Sequence, residues 1–409
     1  MASPLQTFLA TARNALKGAF SSSSSSSSSR APTLTFVVGN ESADLDSLCS
    51  AVVYAFVRTH QAQAAQQQQQ QHAPPPPSLH IPLSNLSRDD LALRTEMTYV
   101  LRQAAGLRPS DLITLSDLPD HVLHGGGGRP ESTTRWVLVD HNALTGPLAR
   151  FSDQVVGCVD HHVDEGAVPA KASPRTIEPC GSCMSLIVAE TRQQQQDAAA
   201  GGAWHDAELA KLALAPILVD TTNLTSASKV RPKDTAAVSF LLGQLPPAFD
   251  ATAYYDAITK VKEDLSGLSL RDIFRKDYKQ WDQKLGVCCA VQNLEYVVSR
   301  AGDNGAVAAF LEALAAWARE KDLDVVAVMT TSHAGGQFHR DLLVWGRSAR
   351  GRDAVRAFER LAGETLQLRQ WKDGVLDDDA DTRRAWNQLD LASSRKQVAP
   401  LLREALRGV

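Results

Sequence analysis

Residues 37–51 read VVGNESADLDSLCSA, and the order of residue types in this stretch decides the fold class. A strand-like apolar run, Leu34–Gly39, ends in a glycine. Asp44 and Asp46 follow with one residue between them, and an apolar segment of helical spacing starts at Ser47. A buried strand is thus followed by two carboxylates that repel each other.

The pattern recurs three times. RWVLVDHN (135–142) ends an apolar run in Asp140, and VVGCVDHH (155–162) ends one in Asp160, followed by His161 and His162. APILVDTTN (215–223) ends one in Asp220. Strand-like runs are expected at Leu34–Gly39, Leu79–Leu83, Leu112–Leu115, Trp136–Val139, Val155–Val159 and Ile217–Val219. Helix-like runs are expected at Ser47–His60, Asp89–Ala105, Ser182–Arg192, Asp206–Ala213 and Lys233–Leu242. Alternation of this kind predicts an α/β fold, a mostly parallel sheet with helices on both faces. Such sheets bind ligands beyond the carboxyl ends of their strands, where these acids would converge.

Five carboxylates gathered at one edge cannot all ionise near neutral pH unless cations compensate them. Aspartate oxygen and histidine nitrogen suit Mg²⁺, Mn²⁺ or Co²⁺. Five aspartates and a histidine exceed the needs of one ion, so a pair of divalent cations is expected. A single aspartate after a strand is commonly a helix cap or a turn residue, and Asp46 alone could be one. Four such endings, one with a His-His pair, favour the metal reading.

GQLPPAFD (243–250) reads as a hinge. The expected division is an N-terminal helix and Ser-rich segment (1–30), a metal-binding domain (31–247) and a smaller mixed α/β substrate-binding domain (248–409), with the site in the cleft between the last two. In the last domain Ala251–Asp264, Leu270–Gln283, Gly305–Arg319 and Ala354–Leu361 read as helices, and Val287–Gln292, Val325–Met329 and Leu342–Trp345 as strands. Low-complexity tracts at Ser21–Ser29, Gln61–Pro77, Gly125–Gly128 and Gln193–Gly202 read as loop insertions.

The chain has 409 residues, a net charge of −4 and six cysteines. That charge does not suggest a nucleic-acid binder, and no apolar run reaches membrane-spanning length. Cys180-x-x-Cys183 has no second pair to complete a zinc site, so the thiols read as structural. Leu5, Phe8, Leu9, Ala12, Leu16 and Phe20 recur at helical spacing beside Arg13 and Lys17. The segment reads as an amphipathic helix docked on the protein, with a transit peptide as the alternative.

Asp160-His161-His162, with Asp44-Leu45-Asp46-Ser47 upstream and Asp140 and Asp220 in order, resembles the DHH phosphoesterase superfamily. Its members include RecJ-type nucleases, manganese-dependent family II pyrophosphatases, prune-type phosphatases and fungal-type exopolyphosphatases. The resemblance runs from about residue 33 to the C-terminus and is nearest to the fungal-type exopolyphosphatases. It implies that Asp44, Asp46, Asp140, His161 and Asp220 hold two cations, with Asp140 and Asp220 bridging. His162 would face substrate, and Asp160 would orient a histidine. Where the pyrophosphatase branch has a histidine ligand, this chain has Asn40, which could offer a neutral oxygen and favour Mg²⁺. Ser394-Arg395-Lys396-Gln397 resembles the phosphate-gripping S-R-K-K-Q segment with one lysine missing, and Lys279 matches a second phosphate-binding lysine. This end of the chain differs from that of the RecJ nucleases.

The implied reaction is release of orthophosphate from the ends of inorganic polyphosphate by a hydroxide bridging the metals, with Asp140, His161 and His162 catalytic. Alternatives are a prune-like phosphatase of short polyphosphates or nucleotides, a manganese-dependent pyrophosphatase, or a degenerate phosphate-binding protein. Gly181 and Ser182 could add backbone contacts to the anion, and His333, His339 and Arg340 could extend a cationic channel. The expected partner is the polyphosphate substrate, with no nucleic acid or membrane. The protein is expected to be a monomer in the cytoplasm, or alternatively in the mitochondrial matrix.

Overall fold

The computed structural model describes residues 3–20, 34–68, 79–124, 134–193, 202–302 and 305–409. Ser21–Ser29 and Gly125–Gly128 lie outside these, as do most of the other two low-complexity tracts. The chain forms two compact units, Met1–Val261 and Lys262–Val409.

The first unit is built on five parallel strands: β1 (Leu34–Val38), β2 (His80–Leu83), β3 (Thr134–Val139), β4 (Val155–Asp160) and β5 (Arg175–Ile177). Their order is β2-β1-β3-β4-β5. Successive side chains of a strand point to opposite faces. Val37, Val137, Val139 and Val159 therefore enter one core, with the helices Leu45–Gln68, Cys183–Gln193 and Ala207–Asp220. Phe36, Val38, Trp136, Leu138 and Cys158 enter the other. Burial on both faces is why these strands read as unbroken apolar runs. In the second core Trp136 stacks between Phe36 and Phe151, each 4.7 Å away between ring centroids.

The helix Pro4–Phe20 is docked on this unit. Leu5, Phe8 and Leu9 join one core and Ala12, Leu16 and Ala19 the other. Arg13 donates to the carbonyls of Ser110 and Leu112 and pairs with Asp117. No described helix is long and apolar enough to cross a membrane.

Four expectations need correction. Ile217–Val219 is the end of the helix Ala207–Asp220, not a strand. That helix is apolar on nearly every side because it is buried on every side, which erases the 3.6-residue signal. Leu112–Leu115 makes only a single bridge, Ser84 to Thr114, before the chain tightens into the 3₁₀ turn Leu115–Asp117. The helix that starts at Leu45 runs on to Gln68, so the first part of the glutamine tract is helical. Glutamine is a good helix former, and Gln61 also donates to the carbonyl of Thr191. The helix starting at Leu270 ends at Lys276, and the chain then enters a strand.

The second unit carries a mixed six-stranded sheet: β6 (Tyr278–Trp281), β7 (Leu285–Ala290), β8 (Val325–Ala334), β9 (Gln337–Gly346), β10 (Leu368–Gln370) and β11 (Arg383–Gln388). Their order is β10-β11-β9-β8-β7-β6, with only β7 and β8 parallel. One face packs on the helices Leu270–Lys276, Leu294–Ser299 and Ala306–Glu320, the other on Ala349–Ala362 and Arg395–Arg407. The helix Ala251–Glu263 that follows GQLPPAFD buries Tyr254 and Ile258 in the core of the first unit.

Asp117 tests how the N-terminal helix is fastened. It accepts from the Thr114 N–H at 2.7 Å and pairs with Arg88 and with Arg13. Burial pushes its carboxyl up, but the Thr114 N–H and the Arg88 guanidinium outweigh this and hold it below 3.8. A carboxylate lowered on folding stabilises above its unfolded pKa and loses that contribution as the pH falls through its folded one. Asp117→Asn should cost about 2 kcal/mol at pH 7, the scale of hydrogen bonds to a charged group. Urea titrations of both proteins should show the gap closing as the pH falls below 3.8. A gap independent of pH would disprove it.

Candidate metal centre

Sheet register assembles the site. Val38 pairs with Leu138, and Val139 pairs with Val159. Counting on from these, Asn40, Asp140 and Asp160 stand side by side at the carboxyl edge. The strand order reverses between β1 and β3, the usual ligand position in such sheets. Gly39 lets β1 pass close to the following helix, since a Cβ there would lie 2.7 Å from the Ser47 carbonyl oxygen. Ala43 and Asp140 take left-handed backbone angles, φ 46° and 62°, which non-glycine residues adopt mainly where a site demands it. Buried Arg94 steadies the loop by donating to the carbonyls of Ala43 (2.8 Å) and Ser42 (2.6 Å).

Asp140 is the centre of the arrangement. Its Oδ2 accepts from Ser47 Oγ (2.6 Å) and Asn40 Nδ2 (2.8 Å). Its Oδ1 is buried, accepts no well-directed hydrogen bond, and lies 3.1 Å from His161 Nε2 and 3.8 Å from His162 Nδ1. His161 Nδ1 is 3.0 Å from the Cys180 carbonyl, which can only accept, so the neutral ring carries its proton there. Its Nε2 lone pair then faces a carboxylate lone pair, and a proton or a cation must lie between. Asp140, His161 and His162 offer ligand atoms within 4.8 Å of one another. Burial, then Asp44 and Asp46, push Asp140 up to about 7. Burial lowers His161, but Asp140, Asp46 and Asp220 overcome it and raise His161 to about 10. This excess of negative charge, beside an imidazole nitrogen whose proton a cation would replace, fits divalent cations.

Asp44 accepts from the Ser47 N–H at 3.0 Å, as a helix cap does, and its charge bears on Asp46 and Asp140. Asp46 accepts from the N–H groups of Cys183 (2.6 Å) and Met184 (3.1 Å) and from Ser50 Oγ (3.1 Å). It thereby caps the helix Cys183–Gln193. Asp220 ends a helix rather than a strand, yet its charge reaches His161. Asp160 Oδ1 accepts from His162 Nδ1 (2.8 Å) and from the His162 N–H (3.2 Å), so it orients the second histidine. Burial, then the neighbouring acids, push the Cys49 and Cys183 thiols far up, and both face other partners, Cys49 Sγ the Met97 sulfur and Cys183 Sγ the Val159 carbonyl.

Two expectations fail here. Asn40 does not present its oxygen to a metal: Oδ1 accepts from the Ala43 N–H (3.1 Å) and Nδ2 faces Asp140. Flipping the amide would set oxygen against carboxylate and NH₂ against N–H, so this orientation follows from chemistry. The Gly181 and Ser182 N–H groups are spent on Asp234, at 2.9 and 3.3 Å. Asp234 is fully buried and also accepts from the Arg231 N–H. It fixes the turn that supplies Cys180 to His161 and the helix end to Asp46. Neither Arg94 nor Asp234 stood out in the sequence. Asp234, at the third position of a helix opened by Pro232, carried only a capping signal.

In the second unit Lys279 lies on β6 with its ammonium 6.0 Å from the Trp281 ring. Arg395 opens the helix Arg395–Arg407 and pairs with Asp277 Oδ1 (2.7 Å), and Lys396 follows, exposed. His333, His339 and Arg340 lie on the β8–β9 hairpin. Arg340 donates to the Leu391 carbonyl, and both Arg340 and Arg395 bear on the partly buried Cys289 thiol.

Since a cation needs Asp140 and His161 deprotonated, its binding should expel protons. Calorimetry with Mn²⁺ in two buffers of different ionisation enthalpy should give release of at least one proton at pH 7. The apparent affinity should strengthen around pH 7 by at least about tenfold per pH unit, one decade for each proton released. Binding without proton release would contradict the charge balance described above.

The family model for the DHH family, N-terminal domain, matches residues 35–217, and that for the DHHA2 domain matches residues 256–405. A protein of Schizosaccharomyces pombe (strain 972 / ATCC 24843) named "Putative exopolyphosphatase" is 30% identical over 392 residues, 93% of each chain. "Exopolyphosphatase PRUNE1" of Bos taurus is 26% identical over 377 residues, 90% of this chain and 75% of that one. A Methanococcus jannaschii structure, titled as a putative family II inorganic pyrophosphatase, superposes with a TM-score of 0.55 at 17% identity. It covers 91% of this chain and 100% of its own, a likeness of fold. The chain belongs to the DHH phosphoesterase superfamily, its DHH domain followed by a DHHA2 domain.

Proposed function

We propose that the protein is a divalent-metal-dependent exopolyphosphatase that releases orthophosphate from chain ends. The observation that carries the reading is the divided carboxylate of Asp140. Neutral donors hold one oxygen, and the other faces His161 Nε2 in a pocket charged by Asp44, Asp46 and Asp220. The names of the two relatives supply the substrate class.

Asp44, Asp46, Asp140, His161 and Asp220 would hold the two cations, Mg²⁺ or Mn²⁺. When bound, such ions neutralise phosphoryl oxygens and lower the pKa of water. Asn40 and Ser47 fix the Asp140 carboxylate. Asp160 accepts a hydrogen bond from the Nδ1–H of His162, which keeps that proton in place, so a protonated ring would pass its Nε2 proton to the departing phosphate oxygen and end as neutral imidazole. Lys279, Arg395 and Lys396 would neutralise the rest of the polyanion, the arginine in bidentate fashion. One water is consumed, one P–O bond breaks, and the products are orthophosphate and a chain one unit shorter.

The pyrophosphatase-like fold supports a second reading, hydrolysis of pyrophosphate itself. Phosphate release from long polyphosphate, tripolyphosphate, pyrophosphate and a cyclic nucleotide, each in Mg²⁺ and Mn²⁺, separates the two. The expected result is preference for polyphosphate in Mg²⁺, and faster pyrophosphate hydrolysis in Mn²⁺ would select the other. Asp140→Asn should lower kcat by about 10³-fold or more, roughly 4 kcal/mol of barrier. Unchanged turnover by the folded variant would remove the enzyme mechanism.

A further inference from the structure

Asn142 lies two residues after Asp140 and is 1% exposed. Its Nδ2 donates to Asp160 Oδ2 at 2.6 Å and to the Val163 carbonyl at 3.0 Å, and its Oδ1 accepts from the Glu165 N–H at 2.8 Å. The carboxylate and carbonyl accept only and the N–H donates only, so the amide has one workable orientation. Asp160 is therefore gripped from both sides, by Asn142 on one oxygen and His162 on the other. The segment beyond His162 has little apolar anchoring, since Val163 is 87% exposed and Asp164 and Glu165 are exposed too. Asn142 bonds that segment at two backbone positions.

We propose that Asn142 is a positioning residue for proton delivery by His162. It sets the direction of the Asp160 carboxylate and the path of Val163–Glu165, and through both it aims the His162 ring. The inference rests on the role given to His162 above. The side-chain hydrogen bonds of Asn142 go to Asp160, Val163 and Glu165 and to no residue assigned to the cations. Its loss should therefore affect kcat and leave metal affinity alone.

A double-mutant cycle on the full chain tests this, with Asn142→Ala, His162→Ala and the combined variant assayed on polyphosphate in saturating Mg²⁺. Mn²⁺ affinity is measured by calorimetry alongside. Asn142→Ala should lower kcat by about 10²-fold, the scale of a misplaced general acid, with KM and Mn²⁺ affinity changed less than about threefold. In the His162→Ala background the same substitution should cost less than about threefold, because the group it aims is gone. An equal cost in both backgrounds, or a fall in Mn²⁺ affinity parallel to kcat, overturns the proposal in favour of a structural role. If Asn142→Ala does not fold, Asn142→Ser, which keeps a short donor, is put through the same cycle with the same criteria. If His162→Ala alone leaves kcat unchanged, the role of His162 falls first, a failure seen before any Asn142 variant is made.

Discussion

The structure of the first unit turns on the crowding of like charge. Asp44, Asp46, Asp140 and Asp220 bear on one another or on His161 within a largely buried pocket. Carboxylates so placed repel, and burial leaves Asp46 and Asp140 little water to screen them, while Asp44 is exposed and Asp220 half-buried. The fold answers by dividing each carboxylate between duties. Asp46 is held by backbone amides at a helix end, where the dipole favours an anion. Asp140 gives one oxygen to neutral donors and keeps the other for the pocket. What remains uncompensated is the drive for cation binding.

The support for that pocket is polar and long-range. Arg94 reaches back to Ser42 and Ala43, Asp234 to Gly181 and Ser182, and Asn142 forward to Asp160 and Val163. Each ties two loops at the carboxyl edge that the sheet alone would leave adjacent but unfastened. Buried polar groups with all their partners present give rigidity and a single arrangement, and the same groups half satisfied would be costly. The histidines depend on this most directly, since their ring nitrogens take direction from Cys180 and Asp160.

Much of this was legible in the chain. β1, β3 and β4 were plain because strands buried on both faces give unbroken apolar runs, and Asp140 and Asp160 end two of them. Asp220 was placed on the wrong element, because a helix buried all round looks like a strand over its last three residues, although its charge does bear on His161. Asn40 was read as an oxygen donor because its type was visible and its orientation was not; the Ala43 N–H that claims its oxygen depends on a left-handed turn. Arg94 and Asp234 were invisible, as isolated polar residues some fifty positions from their partners, with |i−j| of 51 and 53. The amides of Gly181 and Ser182 look available in sequence, and only the fold reveals that Asp234 consumes them.

The parallel direction of the sheet has a bearing on the homopolymeric tracts. Ser21–Ser29, Pro74–Pro77 and Gly125–Gly128 precede β1, β2 and β3 in the sequence, and those parallel strands start at the margin remote from the carboxyl edge that holds Asp140 and Asp160. At about 3.3 Å per residue, a strand of five residues sets some 17 Å between the two margins. The glutamine run at 193–196 likewise precedes a helix whose 14 residues, at about 1.5 Å each, place its start about 21 Å from Asp220. The described chain therefore enters β1, β2 and β3 at the margin opposite the acids, and a change at those entries reaches the chemistry only through the length of a strand.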